Sequence, residues 1–254
     1  MTMLLGVLIF MFGAILGSFF NVIGMRLPRG ESFIGKERSR CDSCKKVLKW
    51  YHLIPIVSYL LQVGRCDYCG AGIGKQHLYV EFATAILFTI AYSVFGLEPE
   101  LIVALLFISM SVIIVIADIH YMIIPNSVLL FFLPVFLLAR GMIHLESVYD
   151  GVITAIIAFI VIVLIIIISK GGMGMGDAKL YAMIGLVLGS KLLILTFILS
   201  LIIGSAIGLY LRYTGKLKKK APFPFGPSII AGALLAYFWG QPVIDWYLDR
   251  KSVV

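Results

Sequence analysis

The chain has 254 residues, 61% hydrophobic and only 13% charged, with a formal net charge of +8 and a mean hydropathy of +1.05. Soluble domains carry about 45–50% apolar and about 25% charged residues. The composition therefore excludes an ordinary water-soluble domain and fits an all-α polytopic membrane protein with a small polar insert.

Charge-free runs predict about eight transmembrane helices, at 1–25, 82–97, 101–117, 121–139, 151–169, 180–190, 192–211 and 221–244. A spanning helix needs about 20 apolar residues, within a range of about 17–25. The run at 82–97 is slightly short and borrows flanking residues. The run at 180–190 crosses only if its helix starts near Gly174, which adds about two turns. The first run has no basic segment before it and no small-residue cleavage site after it, so it reads as an uncleaved helix. The expected organisation is a first helix (1–25), a polar insert (26–79) and a membrane domain (80–254).

Lysine and arginine orient the helices. Loops alternate sides across eight spans. One side collects ten Lys and Arg in the insert, Lys170 and Lys179 around Gly171, and Arg212, Lys216, Lys218, Lys219 and Lys220 in "RYTGKLKKK". The other side keeps Arg140, Lys191, Arg250 and Lys251. The rich side is expected to be cytoplasmic, with both termini outside. The positive charge is then a topology signal that faces lipid headgroups, and no nucleic-acid partner is expected.

All four cysteines fall in the insert, as Cys41 and Cys44 in "CDSC" and Cys66 and Cys69 in "CDYC". Two C-x-x-C turns each offer a pair of thiolates converging on one point, and together they complete a tetrahedron around Zn²⁺. Two disulfides are the alternative, disfavoured on a reducing cytoplasmic side. An insert this small is expected to fold largely on its metal. His52 and His77 are expected as surface or interfacial side chains, and Trp50, Tyr51 and Tyr79 at headgroup level.

Asp118 and Asp177 are the acidic residues that hydropathy does not explain, with Glu81 a weaker third. A carboxylate at a membrane boundary is costly and marks a functional candidate. The third predicted helix runs inward and ends at Asp118; the sixth runs outward and starts near Asp177. Both aspartates are therefore expected at the same membrane face. Two carboxylates held close in a partly dry site share one proton. The ionised partner can then take a proton from water while the protonated one polarises a peptide carbonyl. A paired-carboxylate proton pathway, as in transporters, is the alternative. It would predict repeated halves with matched broken helices, and no second copy of "GMGD" is seen.

In chain order the sequence carries "GSFFNVIGMRLPRG" (17–30), the two C-x-x-C pairs, "YVEF" (79–82), "ADIHYMIIPN" (117–126), "GMGDAKL" (174–180) and "PFGP" (224–227). In this order the motifs resemble the type IV prepilin peptidases, bifunctional leader peptidase/N-methyltransferases of the GxGD aspartic-protease class. The resemblance covers nearly the whole chain. It implies that Asp118 and Asp177 are the catalytic pair of an endopeptidase in a bacterial inner membrane. It implies that the substrates are type IV prepilins or pseudopilins, whose short basic leader is removed at the cytoplasmic membrane face. It further implies methylation of the new N-terminus from S-adenosylmethionine. The insert is too short for a Rossmann-type domain and lacks G-x-G-x-x-G, so no residues are assigned to that cofactor and a peptidase without methyl transfer remains an alternative. Gly174 and Gly176 are expected to shape the backbone beside Asp177, and Lys179 to meet a carboxylate or a lipid phosphate. Pro125 is expected to bend the chain after Asp118. Pro224, Gly226 and Pro227 are expected to form an irregular wall, and Asn21 and Arg26 to tie the first helix to the insert.

Overall fold

The computed structural model describes residues 2–32, 39–41, 43–143, 145–170, 172–215 and 223–252. Lys36, Arg38, Gly171, Lys216, Lys218, Lys219, Lys220 and Ala221, which entered the orientation and span arguments, lie outside the described residues. The chain divides into two compact units, Met1–Leu101 and Ile102–Val254.

In the first unit, α1 (Thr2–Arg26) and α3 (Gln76–Phe95) flank the polar insert, whose described residues include one short α-helix, α2 (Val57–Leu61), and two 3-10 turns. The apolar run at 82–97 gains its missing turns on its N-terminal side. Helices α1 and α3 pack antiparallel through glycines four residues apart. A Cβ on Gly13 would lie 2.8 Å from the Ala85 Cα, and one on Gly17 would lie 3.0 Å from the Glu81 Cα. Small residues at this spacing let apolar helices approach closely in a membrane. The polar end of the seam is closed by Asn21, which is 1% exposed. It accepts from Gln76 Nε2 at 3.2 Å and pairs with His77 Nδ1. Asn21 thus ties α1 to the start of α3.

Glu81 is buried on α3, and its Oε2 accepts the Ile56 backbone N–H at 2.8 Å. Ile56 adopts φ 61°, ψ −53°. The Val57 N–H bonds back to the Pro55 carbonyl at 2.6 Å. This is a γ-turn of the rare positive-φ kind, costly for a β-branched residue.

The second unit holds α4 (Glu100–Tyr121), α5 (Asn126–Ile143), α6 (Leu145–Ile168), α7 (Met175–Tyr213) and α8 (Gly226–Ser252). Helix α4 is the core: Val103, Ala104, Phe107, Ile108, Met110 and Ile114 are fully buried. Hydropathy alone ran the following span back to Tyr121, but α5 begins at Asn126. Pro125 cannot donate the next helical bond, and its carbonyl instead accepts the first α5 amides, from Val128 at 3.2 Å and Leu129 at 3.4 Å.

Among the described residues, seven helices are long and apolar enough to cross a membrane. Helix α7 counts twice. Its 39 residues would reach about 58 Å, nearly double a hydrocarbon core of about 30 Å. The helix breaks at Gly189, φ 74°, ψ 179°. Tyr181 Oη lies 2.5 Å from Ser200 Oγ, whereas 19 residues of straight helix would separate them by about 28 Å. The two limbs, 175–188 and 190–213, therefore double back on each other. With the other six helices they make the eight membrane limbs anticipated from hydropathy, and the short sixth limb starts beside Gly174 as expected. Polar groups hold the tip of this hairpin. Arg140 donates to the Val187 carbonyl at 2.6 Å, and the Ser190 N–H donates to Asp150 Oδ2 at 3.2 Å.

Candidate active site

Three chain segments converge at one end of the second unit. The first is the end of α4. Asp118 occupies its last turn and is 6% exposed. The helix closes at Met122, whose N–H bonds to the Asp118 carbonyl at 2.9 Å with φ 54°. Ile124 and Pro125 then turn inward and are buried.

The second segment is the start of α7. Gly174 is its N-cap and Asp177 its third residue. The Asp177 carboxylate reaches back to accept the Gly174 N–H at 3.1 Å. This reciprocal cap satisfies an orphan donor and fixes the side chain. Asp177 is 8% exposed and interacts electrostatically with Asp118. Two further contacts join these segments. A Cβ on Gly176 would sit 3.2 Å from the Ile124 side chain, and Lys179 Nζ donates to Asn126 Oδ1 at 2.9 Å.

The third segment is the extended entry to α8. The Gly226 N–H donates to Asp118 Oδ2 at 2.9 Å. A Cβ on Gly226 would lie 2.6 Å from that same oxygen, so only glycine allows the approach. Pro224 is half-buried just before it. Phe225 anchors the segment by lying on Gly204, where a Cβ would come within 2.3 Å of its ring.

Asp118, Asp177, Gly174, Gly176 and Gly226 thus come together from three segments, and Pro125 and Pro224 frame two of them; Lys179, on another face of α7 from Asp177, meets the Asn126 amide instead of a carboxylate. Sequence reading missed Gly204, Phe225 and Tyr181. Gly204 is a glycine in mid-helix, a signal of close packing. Tyr181 is 1% exposed and one turn beyond Asp177. With its hydroxyl held by Ser200 it closes the site from within the hairpin. The arrangement presents two buried carboxylates, close enough to influence each other electrostatically and each oriented by a glycine amide, which suits activation of a water.

The first unit holds the cysteine site. The four Sγ atoms lie within 4.8 Å of one another, and Cys41 and Cys69 are 3.8 Å apart. Tetrahedral Zn–S bonds of about 2.3 Å place sulfurs about 3.8 Å apart, so the donors fit such an ion. The amides of Cys44 and then Ser43 point at Cys41 and lower its pKa to about 6. The Ala71 amide favours the Cys69 thiolate, but desolvation and the three neighbouring sulfurs outweigh it and push that thiol up to about 11. Four sulfurs this close hold their full negative charge only around a cation.

The two cysteine turns are copies offset by 25 residues. Isolated bridges pair Arg40 with Val47 and Arg65 with Gly72. The N–H of Lys45 bonds to the Cys41 carbonyl at 2.9 Å, as that of Gly70 does to Cys66 at 2.8 Å. Both donors have positive φ, 57° and 68°. The repeat was visible as "RCDSC" and "RCDYC" but was not used. His52 departs from expectation. Its side chain is 4% exposed, with Nε2 2.9 Å from Asp67 Oδ2 and its ring packed between Tyr51 and Tyr68. The Asp67 partner offsets the desolvation of the buried ring. His77 is exposed as expected, and Trp50, Tyr51 and Tyr79 are exposed as well.

A family model described as "Type IV leader peptidase family" matches residues 105–209, and one described as "Bacterial Peptidase A24 N-terminal domain" matches residues 11–95. The "Prepilin leader peptidase/N-methyltransferase" of Bacillus subtilis (strain 168) is 43% identical over 241 residues, covering 95% of this chain and 97% of its own. The chain belongs to the type IV leader peptidase family. Proteins of the same name from Legionella pneumophila and Pseudomonas aeruginosa are 34% and 29% identical, covering 83% and 93% of this chain and 75% and 91% of their own. No solved structure matches it. The leader peptidase match contains Asp118 and Asp177; the N-terminal match contains the four cysteines. Among the described residues the only β pairings in the first unit are the two isolated bridges, which does not fit a Rossmann-type cradle for S-adenosylmethionine.

Proposed function

We propose that this chain is a prepilin leader peptidase that also N-methylates its product. Asp118 and Asp177 are its catalytic pair. The observation that carries this reading is the meeting of two buried carboxylates from opposite ends of a 59-residue separation, in a chain of this family. One carboxylate accepts a proton from water while the other, protonated, donates to the scissile carbonyl. Water attacks, and the peptide nitrogen leaves with a proton. The Gly226 and Gly174 amides hold the two carboxyl groups in place. The first limb of α7 supports an intramembrane location: its 14 residues rise about 21 Å, less than a hydrocarbon core of about 30 Å.

Substrates in this reading are type IV prepilins or pseudopilins with a basic leader, cut at the cytoplasmic face of the inner membrane, with both termini of the enzyme outside. Residues 26–79 form a zinc-stabilised insert between the first helix and the peptidase domain, 80–254. Cys41, Cys44, Cys66 and Cys69 hold the zinc, which lends folding energy. S-adenosylmethionine supplies the methyl group when bound.

The test is co-expression with a candidate precursor, followed by mass spectrometry of its N-terminus. Wild type is expected to yield a product lacking the leader and bearing one added methyl group. Asp118→Asn and Asp177→Asn are each expected to leave the precursor intact while the enzyme still accumulates in membranes. Cleavage by either variant at the wild-type rate overturns the assignment.

A further inference from the structure

A groove of about 580 Å³ runs between α5, α6 and the first limb of α7. Asn126 and Lys179 stand at one end. Leu130 and Leu133 from α5, Phe159 from α6, and Met183 and Leu186 from α7 line the rest. The polar end lies where α5 and α7 begin, which is where a spanning helix meets headgroups. The apolar part follows the helices inward, and Leu130 on its open side is 67% exposed.

Lys179 is not used by the catalytic pair. Its Nζ donates to Asn126 Oδ1, and an ammonium has three protons to give. Among the described residues it has no carboxylate in ion-pair range. Lys179, Met183 and Leu186 share one helical face, while Asp177 lies about 200° round from Lys179. The groove therefore opens on a different face of α7 from Asp177.

The lining narrows the occupant further. One lysine at headgroup depth above an otherwise apolar wall suits a lipid with an anionic headgroup and a hydrocarbon chain.

We infer that this groove is a binding site for an anionic phospholipid, its phosphate on Lys179 and one acyl chain along Leu133, Phe159 and Met183. A bound phosphate bridges α7 to Asn126, the residue that ends the loop from Asp118, and so steadies the segment that carries one catalytic carboxylate. A zwitterionic choline headgroup carries its own cation and gains less from the lysine.

The experiment is native mass spectrometry of the full chain in neutral detergent, titrated with phosphatidylglycerol or phosphatidylcholine of matched acyl chains. Phosphatidylglycerol is expected to bind about five- to tenfold more tightly, the contribution of one lysine near a phosphate. Lys179→Gln is expected to bring that ratio to about one, and Leu133→Trp to weaken both lipids alike. Inorganic phosphate, with no acyl chain, is expected not to displace the lipid. Equal affinities in wild type, a preference that survives Lys179→Gln, or displacement by phosphate each overturns the inference. A photo-crosslinking residue at position 133, used in membranes with a co-expressed precursor, gives a second measure. An adduct of lipid mass supports the site, and an adduct with the precursor overturns it. These readouts are lipid binding, so they stand or fall separately from the peptidase assignment.

Discussion

The Gly226 amide and the Asp118 carboxylate meet at 2.9 Å, with no room for a side chain between them. One proposed catalytic oxygen is therefore positioned by a residue 108 positions away in sequence. Gly226→Ala places a methyl group 2.6 Å from that oxygen and must displace either the carboxylate or the start of α8. A shift of about 1 Å at a reacting group can cost about 10²-fold in rate. Leader cleavage by this variant is expected to fall by about that factor, with a thermal unfolding midpoint close to wild type. An unchanged rate would show that Asp118 does not depend on this approach.

The hairpin within α7 makes a separate prediction about stability. At Gly189, φ 74° with ψ 179° is a conformation essentially reserved for glycine, and alanine there costs about 1–3 kcal/mol. The new Cβ would also lie 2.4 Å from Asp150 Oδ2. Asp150→Ala removes that obstacle but strands the Ser190 N–H, at a cost of about 1–3 kcal/mol. Each single variant is expected to lower the unfolding midpoint in detergent. The double variant is expected to be less destabilised than the sum, because the clash that burdens Gly189→Ala is absent once the Asp150 carboxylate is gone. Strict additivity would rule out the clash.

The helices were legible because apolar runs have few alternatives in lipid. The site was legible because Asp118 and Asp177 are carboxylates that hydropathy leaves unexplained. What stayed hidden depends on packing. Nothing in "FPFGP" says that Phe225 rests on Gly204, and although Lys191 separates the sixth and seventh predicted spans, nothing in "GLVLGSKLL" says that the reversal is made at Gly189 itself without a loop. Both features need a partner helix to acquire meaning. The misplaced start of α5 is different: Pro125 was visible, and its local rule simply outranks hydropathy. His52 was misread because its burial depends on Asp67, Tyr51 and Tyr68, which reach it only once both cysteine turns are folded.

The cysteine turns predict equivalence. One metal ion per chain, expected to be zinc, should be found by elemental analysis of protein purified without chelator. Cys41→Ser and Cys66→Ser should lose it equally, since they hold matching places in the two turns. The turn positions also match, so Gly70→Lys is expected to retain the metal and to cost only about 1 kcal/mol, given that Lys45 already adopts the same left-handed conformation. Loss of metal in Gly70→Lys would mean that the two turns are not interchangeable.

The γ-turn at Ile56 is held against its own strain by Glu81, and this gives a test with a definite sign. Glu81→Leu removes the acceptor and leaves the Ile56 N–H without its partner, at an expected cost of about 1–3 kcal/mol. Glu81→Gln keeps a carbonyl oxygen in the same place and is expected to cost less. Ile56→Gly relieves a strained turn worth about 1–3 kcal/mol but adds about 0.5–1 kcal/mol of chain entropy. It is therefore expected to be neutral to stabilising by up to about 2 kcal/mol alone and to soften the effect of Glu81→Leu in the double variant. The measurement is the unfolding midpoint of the four proteins in one detergent. If Glu81→Leu is as stable as wild type, Glu81 is not what holds the turn, and its burial on α3 needs another explanation.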